Sequence, residues 1–220
     1  MSTSMLDRYL KAFVETVLMV SISATIAIVV GLCLAVTLAV TAPGTLYSAP
    51  RFNKGLSVVV NVFRAMPFII LLVALLPFTR FIVGTTLGVW AAIVPLSISL
   101  IAFYTRIAQV SLNEVDHGLI EAARAMGLKR WHIVRHVLLP EALPGIIGGM
   151  TVCLIAMINA SAMAGAVGAG GLGDLAIRYG YERYETRVLV DIIIILIALV
   201  TCVQFIGEWL SRRVNHRLPR

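Results

Sequence analysis

The chain has 220 residues, of which 60% are hydrophobic and 13% are charged, about half the charged share of a soluble domain. So little charge cannot cover a globular surface in water, and the same composition excludes disorder. A polytopic membrane protein remains, because each crossing takes about 20 mostly apolar residues. In that class the net charge of +7 reflects basic residues gathered in inner loops, so no nucleic-acid partner is read from it.

Five apolar runs follow one another along the chain. The first is free of charge over 16–50, with a helix expected over about 16–40 that stops before Ala42-Pro43-Gly44. The second, 56–79, is interrupted by Arg64, which is expected to snorkel to the inner interface. The third is expected over 81–105, the fourth over 142–164 and the fifth over 188–210, with Asp191 near its outer end. The first run is too long for a signal-peptide core and others follow it, so no cleavable signal is read. Cys33, Cys153 and Cys202 all fall inside apolar runs and are expected to be packing residues rather than a disulfide framework.

Five crossings put the two termini on opposite sides of the membrane. With the C-terminus inside, the inner segments hold Arg51, Lys54, Arg106, Arg124, Lys129, Arg130, Arg135, Arg212, Arg213, Arg217 and Arg220. The outer segments hold only Arg8, Lys11, Arg80, Arg178, Arg183 and Arg187. The excess of basic residues in inner loops therefore predicts N-out, C-in.

Between the third and fourth runs lies the longest polar stretch, 106–141. Leu119, Ala122, Ala123 and Met126 recur there at helical spacing, Asp116 suits an N-cap and Gly127 suits a left-handed stop. A second short helix is expected over about 130–138, with Trp131, Val134 and Leu138 on one face, before Pro140 and Pro144 punctuate the start of the fourth run. Such a segment either lies on anionic lipid or docks a partner on the inner side. The small side chains of Ala122 and Ala123 favour docking.

The stretch resembles the EAA motif of ABC-importer permeases, which reads E-A-A, three residues, G, nine residues, I, one residue, L-P. Here it is Glu121-Ala122-Ala123, Gly127, Val137 and Leu139-Pro140, with valine in place of isoleucine as the only departure. Within that family, segments 62–71 and 77–84, and the glycine-rich stretch 161–173, resemble methionine-importer permeases. The resemblance covers roughly residues 12–208. It implies an all-α polytopic membrane protein with five transmembrane helices in the type I ABC importer permease fold.

Function follows from that resemblance as an expectation: alternating-access import of methionine, L- and/or D-, across a bacterial cytoplasmic membrane. The alternatives are an ABC permease for another small substrate and an ion-coupled secondary transporter. Residues 117–140 are expected to form coupling helices for two ATP-binding cassette subunits. A second copy of the chain is expected to complete the pathway, and an extracytoplasmic methionine-binding protein to dock near 165–187. Membrane lipid is the remaining partner. No G-x-x-x-x-G-K-[ST] occurs, so ATP and Mg would be bound by the partner, and the chain is read as a transport subunit rather than an enzyme.

Other constellations carry less. Gly168, Gly170 and Gly173 spell G-x-G-x-x-G, but they follow an apolar helix rather than a strand, so a turn is expected rather than a dinucleotide site. His132 and His136 are four apart without the glutamate of a metalloprotease motif, and no metal is expected there. No nucleophile–base constellation is present. In the fourth run Gly145, Gly149, Cys153, Ala156, Ala160 and Ala164 make a small-residue stripe, expected to be a packing seam within the subunit, with a subunit interface as the alternative. A neighbouring stripe holds Val152, Asn159 and Met163. Asn159 either bonds a neighbouring helix or lines a hydrated pathway, and Met163 suits either core filling or a movable constriction. Ser161 is a further pathway candidate, as is Tyr104.

Overall fold

The computed structural model describes residues 3–214. Arg217 and Arg220, counted above among the inner basic residues, lie outside the described residues. Every regular element among the described residues is helical. Four helices are long and apolar enough to cross a membrane, Met5–Thr41, Val89–Asn113, Arg130–Ala169 and Thr186–Val214, and a bent pair adds a fifth candidate crossing.

Helix α1 runs from Thr3 to Thr41, about 58 Å at 1.5 Å per residue and well beyond a hydrocarbon core of about 30 Å. It starts earlier than the expected 16–40. The charges of Asp7, Arg8, Lys11 and Glu15 end an apolar run, but they do not end a helix. Helix α2, Pro50–Ala65, opens on a proline in its first turn, where no N–H is needed.

The expected second span is not one rod. Met66 is extended, with ψ 130°, because a residue before proline is pushed out of the helical region. Helix α3, Phe68–Ala74, then leaves at 105° to α2. Helix α4, Leu76–Val83, stops at Gly84. Residues 81–83 therefore belong to α4, and the helix that carries the third apolar run, α5, spans Val89–Asn113 rather than 81–105.

Helix α6 is His117–Ala125 and α7 is Arg130–Ile133. A wide π-helical turn, Val134–Leu138, joins α7 without interruption to α8, Leu139–Ala164. The helix that carries the fourth apolar run therefore begins before residue 142. Pro140 and Pro144 remove backbone donors and crowd the preceding turn, and the widened turn before them absorbs that crowding. A second π turn, Gly165–Ala169, leads to α9, Gly171–Leu175. A third, Ala176–Tyr181, leads on toward α10, Thr186–Val214.

α5 is the most buried of the long helices, with Leu96, Leu100, Tyr104, Ala108 and Leu112 all buried. α1 lies along it, presenting Ala24, Ala27 and Ala35. At Gly31 of α1 an added Cβ would stand 3.0 Å from Cδ1 of Tyr104. The stripe on α8 works the same way at its start, where Gly145 faces Ser111 and Gly149 faces Ile107. Close backbone approach of this kind replaces the hydrophobic drive that lipid cannot supply. Ala156 and Ala160, further along the stripe, instead border an open pocket. Of the cysteines, Cys153 is buried, whereas Cys33 and Cys202 are exposed on outward faces of α1 and α10. Apolar character in a span reports lipid as well as core.

The bundle has two distinct ends. At one, the α1–α2 turn meets α6 and the last turns of α5. At the other, the start of α1 meets α9 and α10, and Gly88 donates to the Gly168 carbonyl at 2.9 Å.

Candidate functional site

At the first end, α6 and α7 form a hairpin. The Asp116 carboxylate accepts the Gly118 N–H at 2.8 Å and caps α6 as expected. The helix stops at Gly127, whose φ is +78°. The Leu128 N–H bonds the Ala123 carbonyl at 3.2 Å and the Gly127 N–H bonds the Arg124 carbonyl at 2.9 Å, the paired closure that a left-handed stop permits.

The hairpin seats itself through Ala123, Ile133, Val134 and Leu138, each no more than 4% exposed. Its other side faces out. Glu121, Ala122, Arg124 and Gly127 are exposed, as are Leu119, Met126 and Trp131. Trp131 thus leaves the face it was expected to share with Val134 and Leu138. Val137 and Leu139 are half-buried and Pro140 is exposed. The motif therefore divides its work: alanine and the branched apolar residues hold the hairpin on, while glutamate and glycine stay accessible.

A pocket of about 390 Å³ separates the α1–α2 turn from α6, bordered by Pro43, Leu46, His117, Glu121 and Arg124. Beside it the Arg130 guanidinium lies 5.5 Å from the ring centre of Tyr47. That contact ties α7 to the α1–α2 turn, and composition gave no sign of it. His132 and His136 stack with ring centres 6.0 Å apart. Among the described residues no three of His, Cys, Asp and Glu converge on a point that would hold a metal.

Between the bent pair, α5 and α8 opens a second pocket of about 310 Å³. It gathers Arg64, Phe68, Ser99, Phe103, Asn159 and Met163, among other residues. Asn159 and Met163 thus share one wall, as their stripe predicted, and Met163 is 44% exposed. Ser161 does not join them. It is 1% exposed and donates to the Ile158 carbonyl at 2.7 Å, because two residues along a helix turn a side chain to the far face. Tyr104 is likewise fully buried, with its hydroxyl 3.5 Å from the Ile146 carbonyl.

Arg64 lies near the end of α2, just before the bend. Thirteen residues separate it from Arg51 along α2, about 20 Å of helix, which carries it far from the helix start that bears Arg51 and Lys54. The signal was present as the lone charge in an apolar run, next to Met66-Pro67.

At the opposite end, α9 folds back so that Gly173 lies on the backbone of Ala162. Glu15 and Thr16 of α1 accept the N–H groups of Gly171 and Leu172 at 2.8 and 2.9 Å. The glycine-rich stretch is therefore a turn, as expected. Asp191 accepts the Tyr9 hydroxyl at 3.2 Å, and Arg183 lies 4.6 Å from the ring centre of Tyr179.

Comparison with known proteins fits this architecture. Residues 27–216 match the model of a family described as "Binding-protein-dependent transport system inner membrane component". A Vibrio cholerae protein described as "Probable D-methionine transport system permease protein MetI" is 46% identical over 211 residues, covering 96% of this chain and 94% of its own length. The Bacillus subtilis "Methionine import system permease protein MetP" is 42% identical over 177 residues, covering 80% of each chain. A solved structure of the MetNI methionine ABC transporter in an inward-facing conformation superposes with a TM-score of 0.95 at 44% identity, covering 98% of this chain and 100% of the other. An amino acid ABC transporter with histidines, at 21% identity and a TM-score of 0.79, shares the fold. The chain belongs to the binding-protein-dependent transport system inner membrane component family, with the all-helical fold of a type I ABC importer permease.

Proposed function

We propose that this chain is the membrane-spanning subunit of an ATP-driven importer of methionine, L- and/or D-, working by alternating access. The observation that carries the proposal is the α6–α7 hairpin. It keeps Glu121, Ala122 and Gly127 exposed at one end of the bundle while Ala123 and Ile133 anchor it to the core. A rigid knob on a continuous helix suits a lever, because force on α7 passes through the π turn into α8 without a flexible joint. The names of the relatives at 46% and 42% identity supply the substrate.

On this reading the hairpin faces the cytoplasm, with the N-terminus outside and the C-terminus inside. Two copies of the chain enclose the pathway. Two ATP-binding cassette subunits grip the two hairpins and bind ATP and Mg, so this chain performs no hydrolysis of its own. A methionine-binding protein delivers substrate at the glycine-rich end, near 165–187. Asn159 and Met163 line the pathway, whereas Ser161 contributes only helix packing. Closure of the ATPase dimer draws the hairpins together and shifts the equilibrium between two packings of the spans.

The test is co-purification followed by reconstitution. Wild-type chain should bring down a P-loop ATPase and support ATP-dependent methionine uptake. Glu121→Lys and Gly127→Val should reach the membrane in normal amount, yet lose ATPase retention or uptake by about tenfold, the effect of roughly 1.4 kcal/mol at the contact. Uptake that persists without any ATPase and collapses with an ionophore would overturn the proposal in favour of ion coupling.

A further inference from the structure

The pocket between the bent pair, α5 and α8 combines one cation with an apolar wall. Arg64 is the only charged side chain on its lining. Neither its guanidinium nor the Asn159 amide has a hydrogen-bonding or ionic partner among the described residues. Phe68, Phe103 and Met163 line the same pocket. The Arg64 and Asn159 side chains are both exposed on this face, and a guanidinium set among apolar walls with no protein partner is stabilised only by water or an anion. The volume of about 310 Å³ falls at the lower end of small-molecule sites.

We infer that this pocket is a transient binding site for the transported amino acid within the permease itself, with Arg64 recognising its carboxylate. The inference rests on the reading of the chain as a methionine permease and deepens it. A guanidinium offers a paired donor fork that a carboxylate matches. The Asn159 amide oxygen is an acceptor suited to an ammonium group. Phe68, Phe103 and Met163 offer the polarizable contacts that favour a thioether side chain. The fit is to a zwitterionic amino acid with an unbranched apolar side chain. A polar side chain of the same length would desolvate against aromatic rings without a partner.

The experiment uses the intact permease–ATPase complex in lipid nanodiscs, without delivery protein, and measures equilibrium binding of radiolabelled methionine. Wild-type complex should bind saturably, with methionine competing and methioninol, which lacks the carboxylate, competing at least about tenfold more weakly. Arg64→Gln should weaken methionine about tenfold and abolish the discrimination against methioninol, whereas Arg64→Lys, which keeps the charge but not the fork, should weaken methionine less and keep part of the discrimination. Equal competition by methioninol at the wild-type complex overturns the inference without any variant. So does unchanged methionine affinity in an assembled Arg64→Gln complex. Should Arg64→Gln fail to assemble while Arg64→Lys assembles and binds methionine as weakly as an unrelated permease, Arg64 is a structural residue and the inference falls. Uptake with delivery protein is measured on the same wild-type preparation. Absent uptake defeats the import reading, while uptake without carboxylate-dependent binding defeats this site alone.

Discussion

The Arg130 guanidinium stands over the ring of Tyr47, 5.5 Å from its centre, and so joins the hairpin to the turn between α1 and α2. The same turn is braced from the other side. The Asn53 amide donates to the Leu38 carbonyl at 2.7 Å and to the Thr41 hydroxyl at 2.9 Å. These contacts give α7 a second route of connection, besides α8, to α2 and the elbow at Met66-Pro67.

That route predicts partial uncoupling. An exposed cation–π contact is worth about 0.5–1 kcal/mol, so Tyr47→Ala should raise the ATP hydrolysed per methionine imported by roughly two- to fivefold. Tyr47→Phe keeps the ring and should behave as wild type. A stoichiometry unchanged in Tyr47→Ala would show that α8 alone carries the motion.

The contact of Gly173 with Ala162 makes a sharper stability prediction. A Cβ at Gly173 would overlap the Ala162 backbone, which cannot swing aside as a side chain can. Gly173→Ala should cost at least about 1–3 kcal/mol and lower the unfolding temperature in detergent by several degrees. Gly55→Ala is the control. A Cβ there meets nothing within 4 Å, and alanine in a helix interior gains about 0.5–1 kcal/mol over glycine.

Asn159 and Ser161 sit two residues apart and separate two expectations. Asn159 borders the pocket, whereas Ser161 is buried and bonded within its own helix. Ser161→Ala should leave methionine uptake within about twofold of wild type and change stability by no more than about 1 kcal/mol. Asn159→Leu should lower uptake at equal membrane abundance if the proposed pathway runs along this pocket, because it removes the amide from the pocket's wall. Equal effects from the two variants would remove Asn159 from the pathway. Uptake in proteoliposomes reads both.

Much of this was legible without coordinates, because bilayer thickness and helix capping are local rules. The cap at Asp116, the stop at Gly127 and the apolar lengths of α5, α8 and α10 all follow from residue type and spacing. The bend after Ala65 does not. Hydropathy sums over a window and cannot see that Met66 must turn extended before Pro67. The start of α1 was missed for a related reason: Lys11 and Glu15 end an apolar run but join the helix, and Glu15 then reaches 156 residues along the chain to Gly171. Tertiary partners of that kind leave no periodic trace. The same holds for Ser161, since proximity to Asn159 in sequence says nothing of face until the phase of α8 is known.

The bonds from Glu15 and Thr16 to the start of α9 predict what holds the glycine-rich end shut. Each carries a backbone N–H that would otherwise lack an acceptor, and Thr16 is 2% exposed. Replacing one oxygen acceptor at a helix start costs about 0.5–2 kcal/mol. Thr16→Val removes the hydroxyl at nearly constant volume, and Glu15→Gln keeps an acceptor but loses the charge. The former should loosen α9 more than the latter. A cysteine placed at Ala166, an exposed position in the π turn that leads to α9, reads the loosening as faster labelling by a membrane-impermeant maleimide. The expected acceleration is about threefold or more for Thr16→Val and smaller for Glu15→Gln, in line with the loss of a neutral hydrogen bond against the weakening of a charged one. Identical labelling rates in all three backgrounds would mean that packing of Gly173 on Ala162 fixes α9 unaided, and that the polar bonds merely satisfy groups the packing has already placed.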